Sequence, residues 1–361
     1  MPETLPSWLP PIGLLLIGSC LVSGLFSCLG TAFVIRWATN LGVIDRPNER
    51  SSHQRPTPRG GGIAVVAVAL LAAFSFWMTG ISVPDGSWAV LVGAIVIATV
   101  SGFDDVSPIS PRLRLAVQIS AAVIAIAGTG PIPSVDLGSM GQYATGLAGW
   151  ILPVFWIVGM TNAFNFMDGI DGIAGITAIV AIGVIAAAFA VAGEPFLMLL
   201  AASTAAAAAG FLVWNWPPAR IFMGDVGSAF LGYLIAVLPL MAGPEKSSWL
   251  IPLTAFVMWP FLFDTVYTMA RRILKKENVL EAHRSHIYQR LVIKGFSHRA
   301  ITCLYGLLGL VAGGAALYAK LRPGSHETAE LAALGSVILG ATGLIVGVHV
   351  AEAKTGGRVS A

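Results

Sequence analysis

Hydrophobic positions in this chain run in long, continuous stretches, without the polar alternation of a half-buried strand. Eleven such runs, at about 11–35, 63–80, 87–102, 115–130, 147–163, 173–192, 196–214, 227–242, 249–270, 300–319 and 329–350, approach the ~20 residues that a helix needs to cross a bilayer. Continuous runs exclude a transmembrane β-barrel, whose strands alternate apolar and polar side chains. The expected fold is all-α: a polytopic bundle of about ten or eleven membrane helices, forming one integral membrane domain over residues 1–361.

Polar positions fall between these runs, and one interruption stands out. It reads Asn162-Ala-Phe-Asn-Phe-Met-Asp-Gly-Ile-Asp-Gly172. Asn162, Asn165, Asp168 and Asp171 recur every third residue, which on a helix keeps neighbouring groups on roughly one side. Gly169 and Gly172 weaken the helix or let backbone approach a bound group. A helix cap accounts for any one of the four polar residues. Four in register at a membrane boundary, where ionisable groups are costly, point to a substrate or ion site.

Composition agrees with the pattern. The chain is 56% hydrophobic and 11% charged, with a mean hydropathy of +0.80, whereas charged residues make up about a quarter of soluble domains. The first run lacks a basic leader, since the first Lys or Arg is Arg36, so it is expected to be retained as a span. Cys20, Cys28 and Cys303 lie in apolar runs without CxxC spacing; they are expected to be small buried hydrophobes with no metal or disulfide role.

A net charge of +3 makes no case for nucleic acid, but its distribution is informative. With the N-terminus outside, every Lys and Arg except Lys246, Lys320 and Arg322 falls on the cytoplasmic side, as the positive-inside rule requires. The same division gathers the acids, amides and histidines on inner loops at about 37–62, 103–114, 162–172, 215–228 and 271–299. A catalytic face on cytoplasmic loops is expected.

The first inner loop, Asp45–Gly62, carries Arg46, Arg50, Arg55 and Arg59 and ends in three glycines. It suits anionic partners, although a solvated basic loop that only sets topology reads the same way. It contains no phosphate-binding Walker pattern. Asp104 and Asp105 are adjacent, so on a helix they point about 100° apart and are expected to take separate duties. One would face a metal or reacting group while the other pairs with a cation. Asp225 lies between Gly224 and Gly227 at the mouth of the eighth run, with Asn215 upstream. Asp264, seven residues before Arg271, reads as an ion pair or polar contact inside the bundle. His283, Arg284 and His286 read as donors to a pyrophosphate rather than ligands of a hard cation.

If Asp104, Asp105, Asp168, Asp171 and Asp225 converge, their repulsion must be relieved by protonation or by a cation. An oxygen-loving divalent ion is the simple solution. Carboxylates, such an ion and basic clamps at a lipid–water boundary suggest phosphoryl transfer from a soluble donor to a lipid acceptor.

Five segments, Asp45–Gly62, Gly102–Arg114, Asn162–Gly172, Asn215–Ser228 and His283–Arg290, together resemble, in order, the polyprenyl-phosphate N-acetylhexosamine-1-phosphate transferase family. The resemblance implies a bundle of ten or eleven helices in a bacterial inner membrane. It implies transfer of a sugar 1-phosphate from a UDP-sugar to undecaprenyl phosphate, with release of UMP. By motif, Asp225 with Asn165 would hold Mg²⁺, or Mn²⁺ in its place. Asp104 and Asp105 would lie near the acceptor phosphate and act in catalysis with Asp168 and His283. Asn165, Asp168, Asp171 and Asn215 would surround the uridine and metal, and His283, Arg284 and His286 the pyrophosphate or sugar. A homodimer is the expected assembly.

Tyr288 and Gln289 stand where other branches carry histidine, and Val106-Ser107-Pro108 follows the acid pair without a nearby lysine. These departures point away from the muramoyl-pentapeptide branch and toward the O-antigen-initiating branch, whose donors are UDP-GlcNAc or deoxy-aminosugar relatives. The alternatives are a secondary transporter, which predicts polar residues near mid-bilayer and paired half-repeats, and a non-catalytic scaffold, which needs no cluster of five carboxylates.

Overall fold

The computed structural model describes residues 9–47, 55–278, 283–321 and 326–356. Arg50 and Arg322 lie outside the described residues. The helices are α1 (Leu9–Leu41), α2 (Gly62–Met78), α3 (Ser87–Val106), α4 (Pro111–Thr129), α5 (Ala148–Met167), α6 (Ile173–Ala192), α7 (Pro195–Asn215), α8 (Asp225–Met241), α9 (Pro244–Leu274), α10 (Ile287–Ile293), α11 (His298–Leu321) and α12 (His326–Gly356). Each apolar run has become one helix, and the short α10 is an addition within the basic 271–299 loop. Two small antiparallel ribbons also form, β1 (Ile44–Asp45) with β2 (Thr57–Pro58) and β3 (Ser134–Asp136) with β4 (Gln142–Ala144).

Among the described residues, nine helices are long and apolar enough to cross a membrane, while α2 and α8 are shorter. Each of these two has 17 residues, about 25 Å of helix against a hydrocarbon core of about 30 Å. For α8 the shortfall is harmless, because every residue from Val226 to Met241 is buried. It packs against α2, α3, α5 and α9 and is the axis around which the bundle is arranged. Helices α1 and α12 lie at the other extreme and expose Leu14, Leu21 and Leu339, which is what a lipid-facing helix does.

The same logic corrects the expectation for the cysteines. Cys303 is exposed, and Cys20 and Cys28 are half-buried. In a bilayer an apolar position faces lipid as readily as protein, so hydrophobicity does not imply burial.

Asp264 is the polar contact inside the bundle that its position suggested, with other partners than Arg271. It is fully buried on α9 and accepts hydrogen bonds from the backbone N–H of Ile287 (2.8 Å) and Tyr288 (3.0 Å) and from the hydroxyls of Thr268 (3.1 Å) and Tyr305 (2.7 Å). The His286 ring nitrogen Nδ1 lies 3.2 Å from it. A buried carboxylate needs such donors. Here they fasten α10 to α9 and α11, which fixes the residues just before α10.

Candidate active site

The C-terminal ends of α3 and α5 meet the N-terminal end of α8. Residues 58–62 run beside 222–223: Phe222 N–H donates to Pro58 (2.9 Å), Gly61 N–H to Phe222 (2.9 Å) and Gly62 N–H to Met223 (2.8 Å). Gly62 and Gly227 sit so close that a Cβ on either would collide with the other's backbone. These contacts deliver Arg59 to Asp225.

Asp225 Oδ1 accepts from Arg59 Nη2 at 2.6 Å and from Asn165 Nδ2 at 3.2 Å, and its Oδ2 lies 3.5 Å from Arg114 Nη1. Asn165 also donates to the Ser228 hydroxyl at 2.8 Å. Asp105 lies deeper and caps α8 from across the bundle. It accepts from the backbone N–H of Asp225 (2.8 Å) and Val226 (3.0 Å) and pairs with Arg59 Nε at 2.9 Å. Gly224 makes room for this: its φ is +78°, and a Cβ there would stand 2.5 Å from Asp105 Oδ2. Asp104 points elsewhere, accepting from Ile109 N–H (2.6 Å) and Arg114 Nη1 (2.9 Å). The adjacent acids do take separate duties, and both are paired with arginine.

The crowding of carboxylates is thus relieved by Arg59, Arg114 and the N-terminus of α8. Burial opposes the charge on Arg59, but Asp225, Asp105, Asp45 and Asp168 outweigh it and raise its pKa. Asp168 has no such compensation in full. Burial first, and the charge of Asp225 second, push its carboxyl up to about 7 despite the counteracting Arg59.

The every-third-residue register does not survive as one face, because α5 ends at Met167 and the chain turns through Asp168 and Gly169. Asn162 instead pairs with Gln118 of α4, donating to its carbonyl at 2.5 Å. Asn165 reaches Asp225, and Asp168 caps α5. Asp171 faces the α7–α8 connection, accepting from Ala219 N–H at 3.0 Å, with His298 Nδ1 3.4 Å away. Asn215 is buried and committed at both ends: it accepts from Gly172 N–H (2.9 Å) and donates to the Ile221 carbonyl (2.9 Å). It braces two loops.

A cavity of about 600 Å³ opens at these helix ends. Its polar part is lined by Arg114, Gln118, Asn162, Asn165, Asp225, His283 and His286, and its apolar part by Ile97, Val100, Leu115 and Val117 of α3 and α4. Asp104 and Asp105 stand behind Arg114 and Asp225 rather than on the wall. The His283 and His286 rings lie 5.0 Å apart. Arg59 individually, Gln118 and Ser228 are the site residues that sequence reasoning did not single out. Of these only Gln118, polar within an apolar run, carried a visible signal.

Among the described residues no three His, Cys, Asp or Glu side chains gather as a metal-binding group. A partly exposed Asp225 beside the Asn165 amide nevertheless fits a hard cation that takes one or two carboxylates and completes its shell from water and substrate phosphates.

The family model for glycosyl transferase family 4 matches residues 87–243, from the start of α3 to just past α8. A relative in Bacillus subtilis (strain 168), named "Probable undecaprenyl-phosphate N-acetylglucosaminyl 1-phosphate transferase", is 33% identical over 309 residues, covering 83% of this chain and 84% of its own. The chain belongs to glycosyl transferase family 4. Other relatives include the undecaprenyl-phosphate alpha-N-acetylglucosaminyl 1-phosphate transferase of Salmonella typhi, 29% identical with 82% of each chain covered. The decaprenyl-phosphate N-acetylglucosaminephosphotransferase of Mycobacterium tuberculosis (strain H37Rv) is 29% identical, covering 90% of this chain and 87% of the relative. The family-4 match contains Asp104, Asp105, Asn165, Asp168, Asp171, Asn215 and Asp225.

Proposed function

We propose that this multi-pass membrane enzyme transfers an N-acetylhexosamine-type sugar 1-phosphate, from UDP-GlcNAc or a deoxy-aminosugar relative, to undecaprenyl phosphate with release of UMP. The observation that carries this reading is the mixed polar and apolar lining of one cavity. Its lining combines Arg114, Asp225 and the histidines, which suit phosphates, with Ile97, Val100, Leu115 and Val117 of α3 and α4, which suit the start of a prenyl chain. A secondary transporter is not supported: the carboxylates gather at one end of the helices, and the relatives are named as transferases.

In this proposal a phosphate oxygen of the lipid attacks the β-phosphorus of the donor. The bond from that phosphorus to the bridging oxygen breaks, and UMP leaves with the oxygen. The acceptor is already ionised at neutral pH, so it needs positioning and charge neutralisation more than a strong base. Arg114 offers its guanidinium to the acceptor phosphate, and Asp104 holds that guanidinium in place. His283 and His286 serve the donor, whereas Arg284, between them in sequence, lines a different cavity and is not placed with them. Asp105 is a positioning residue that fixes the backbone of Asp225. Bound Mg²⁺ or Mn²⁺, held by Asp225 with Asn165, would supply the positive charge that lets two anionic substrates approach.

The bacterial inner membrane, an N-terminus outside, cytoplasmic helix ends at the site, homodimer assembly and a role in initiating a cell-surface polysaccharide belong to the same proposal. The test is label transfer from UDP-[¹⁴C]GlcNAc into the lipid extract of membranes containing the protein. Transfer that requires added undecaprenyl phosphate supports the reading; label that stays in the aqueous phase in all conditions overturns it.

A further inference from the structure

A second, smaller cavity of about 270 Å³ lies between the ends of α9, α10 and α12. Among the described residues, Arg271, Arg284, Arg290, Lys294 and Glu352 line it. Arg290 is 7% exposed at its side chain and pairs with Glu352 through Nε (2.9 Å) and Nη2 (2.8 Å). Its remaining nitrogen, Nη1, is buried without a hydrogen-bond partner among the described residues. A buried guanidinium N–H left unmatched is costly, and a cavity lined by these basic side chains suits an anion.

The surroundings say which kind. Arg271 sits in the last turn of membrane helix α9, and Glu352 near the end of membrane helix α12. Beside them Ile273, Leu274, Ile293 and Val350 expose apolar surface. Charge and exposed hydrocarbon at the ends of two spans is the pattern of a lipid headgroup site. The segment before α10 separates this cavity from the larger one: His283 and His286 line the large cavity, while Arg284 and Ser285 line the small one.

We propose that this cavity binds the phosphodiester headgroup of an anionic membrane phospholipid. The phosphate lies against the Arg290 guanidinium, Arg271 and Lys294 complete the neutralisation, and the acyl chains lie over Ile273, Leu274 and Val350. A lipid held there braces the far side of the wall that carries His283 and His286. The proposal concerns binding and does not depend on the transferase reading.

The experiment uses the full chain, purified in a neutral detergent and titrated with phosphatidylglycerol, phosphatidylcholine, UDP or inorganic phosphate, with binding read by native mass spectrometry and by thermal unfolding. Phosphatidylglycerol should bind saturably and raise the unfolding temperature, and phosphatidylcholine should do neither. The Arg271→Gln/Lys294→Gln variant should weaken phosphatidylglycerol binding by about 30-fold, from two charges near the headgroup, and leave UDP binding unchanged. If that variant does not fold, Lys294→Gln alone carries the test, with about a fivefold loss expected. Undiminished phosphatidylglycerol binding in the variant overturns the proposal. Loss of UDP binding with lipid binding intact also overturns it and assigns the cavity to the nucleotide. Inorganic phosphate that binds as tightly as the lipid overturns the lipid assignment as well.

Discussion

Asp105 holds Asp225 by its backbone: the Asp105 carboxylate accepts from Asp225 N–H at 2.8 Å and from the next N–H, Val226, at 3.0 Å. Two acids 120 residues apart are thereby joined, with no direct contact between their charges needed. The Asp225 side chain is left to Arg59, Asn165 and the cavity. The two acids should therefore fail in different ways when replaced.

Asp105→Ala leaves two backbone N–H groups and Arg59 without their acceptor, at about 1–3 kcal/mol for each buried group. It should lower the unfolding temperature clearly and abolish turnover. Asp225→Asn orphans no backbone group and removes a charge that crowds Asp105 and Asp168. It should lower the unfolding temperature less than Asp105→Ala does, while losing nearly all turnover and its Mg²⁺ dependence. Thermal unfolding and activity measured side by side check this. A stable Asp105→Ala protein, or an Asp225→Asn protein that turns over normally, contradicts the assignment.

Arg59 reaches Asp105 through Nε and Asp225 through Nη2, a planar fork that a lysine ammonium does not reproduce. Arg59→Lys should therefore reduce kcat by at least about tenfold, equivalent to roughly 1.4 kcal/mol of barrier, although the charge is kept. A kcat near wild type shows that charge alone suffices there.

Asp168 gives a pH signature. Its folded pKa, raised to about 7 by burial and by Asp225, lies above the value near 3.9 of a free aspartate. The folded state thus binds the proton more tightly, and this favourable contribution is complete below about pH 4. It is lost as pH rises through about 7. Asp168→Asn carries no such titration, so its unfolding temperature relative to wild type should climb between pH 4 and 7 and level off above. A difference independent of pH contradicts a raised pKa.

Much of this architecture was legible because membrane helices announce themselves by continuity. All eleven apolar runs became helices, and the inner-loop acids Asp104, Asp105, Asp168 and Asp225 do gather at one end. What sequence spacing did not reveal was long-range. The Asn162-to-Asp171 register assumed a continuous helix, but the chain turns after Met167, so Asn162 goes to Gln118 and Asp171 to Ala219. Local spacing also had no means of choosing Arg59 from the arginines around it, because that choice is made by the pairing of residues 58–62 with 222–223. The lone α10 was missed for a similar reason: seven residues are too few for a periodic signal, and Asp264 holds them in place from another helix.

Direct displacement also makes a prediction about intermediates. Asp104 and Asp105 are each engaged by an arginine and by backbone N–H, which weakens them as nucleophiles. Enzyme incubated with β-³²P-labelled UDP-sugar and no lipid acceptor should carry no label after quenching. A labelled protein band, removed by hydroxylamine and absent from the Asp104→Asn or Asp105→Asn variant, contradicts a one-step transfer.

The nucleotide product tests the central claim most directly. Purified protein in detergent, given UDP-GlcNAc, Mg²⁺ and undecaprenyl phosphate, should release UMP in a one-to-one ratio with new lipid-linked sugar, and release should stop when either substrate is withheld. Release of UDP instead would mean that the sugar moves without its phosphate. UMP formed at the same rate without the lipid would mean hydrolysis. Either result contradicts the account.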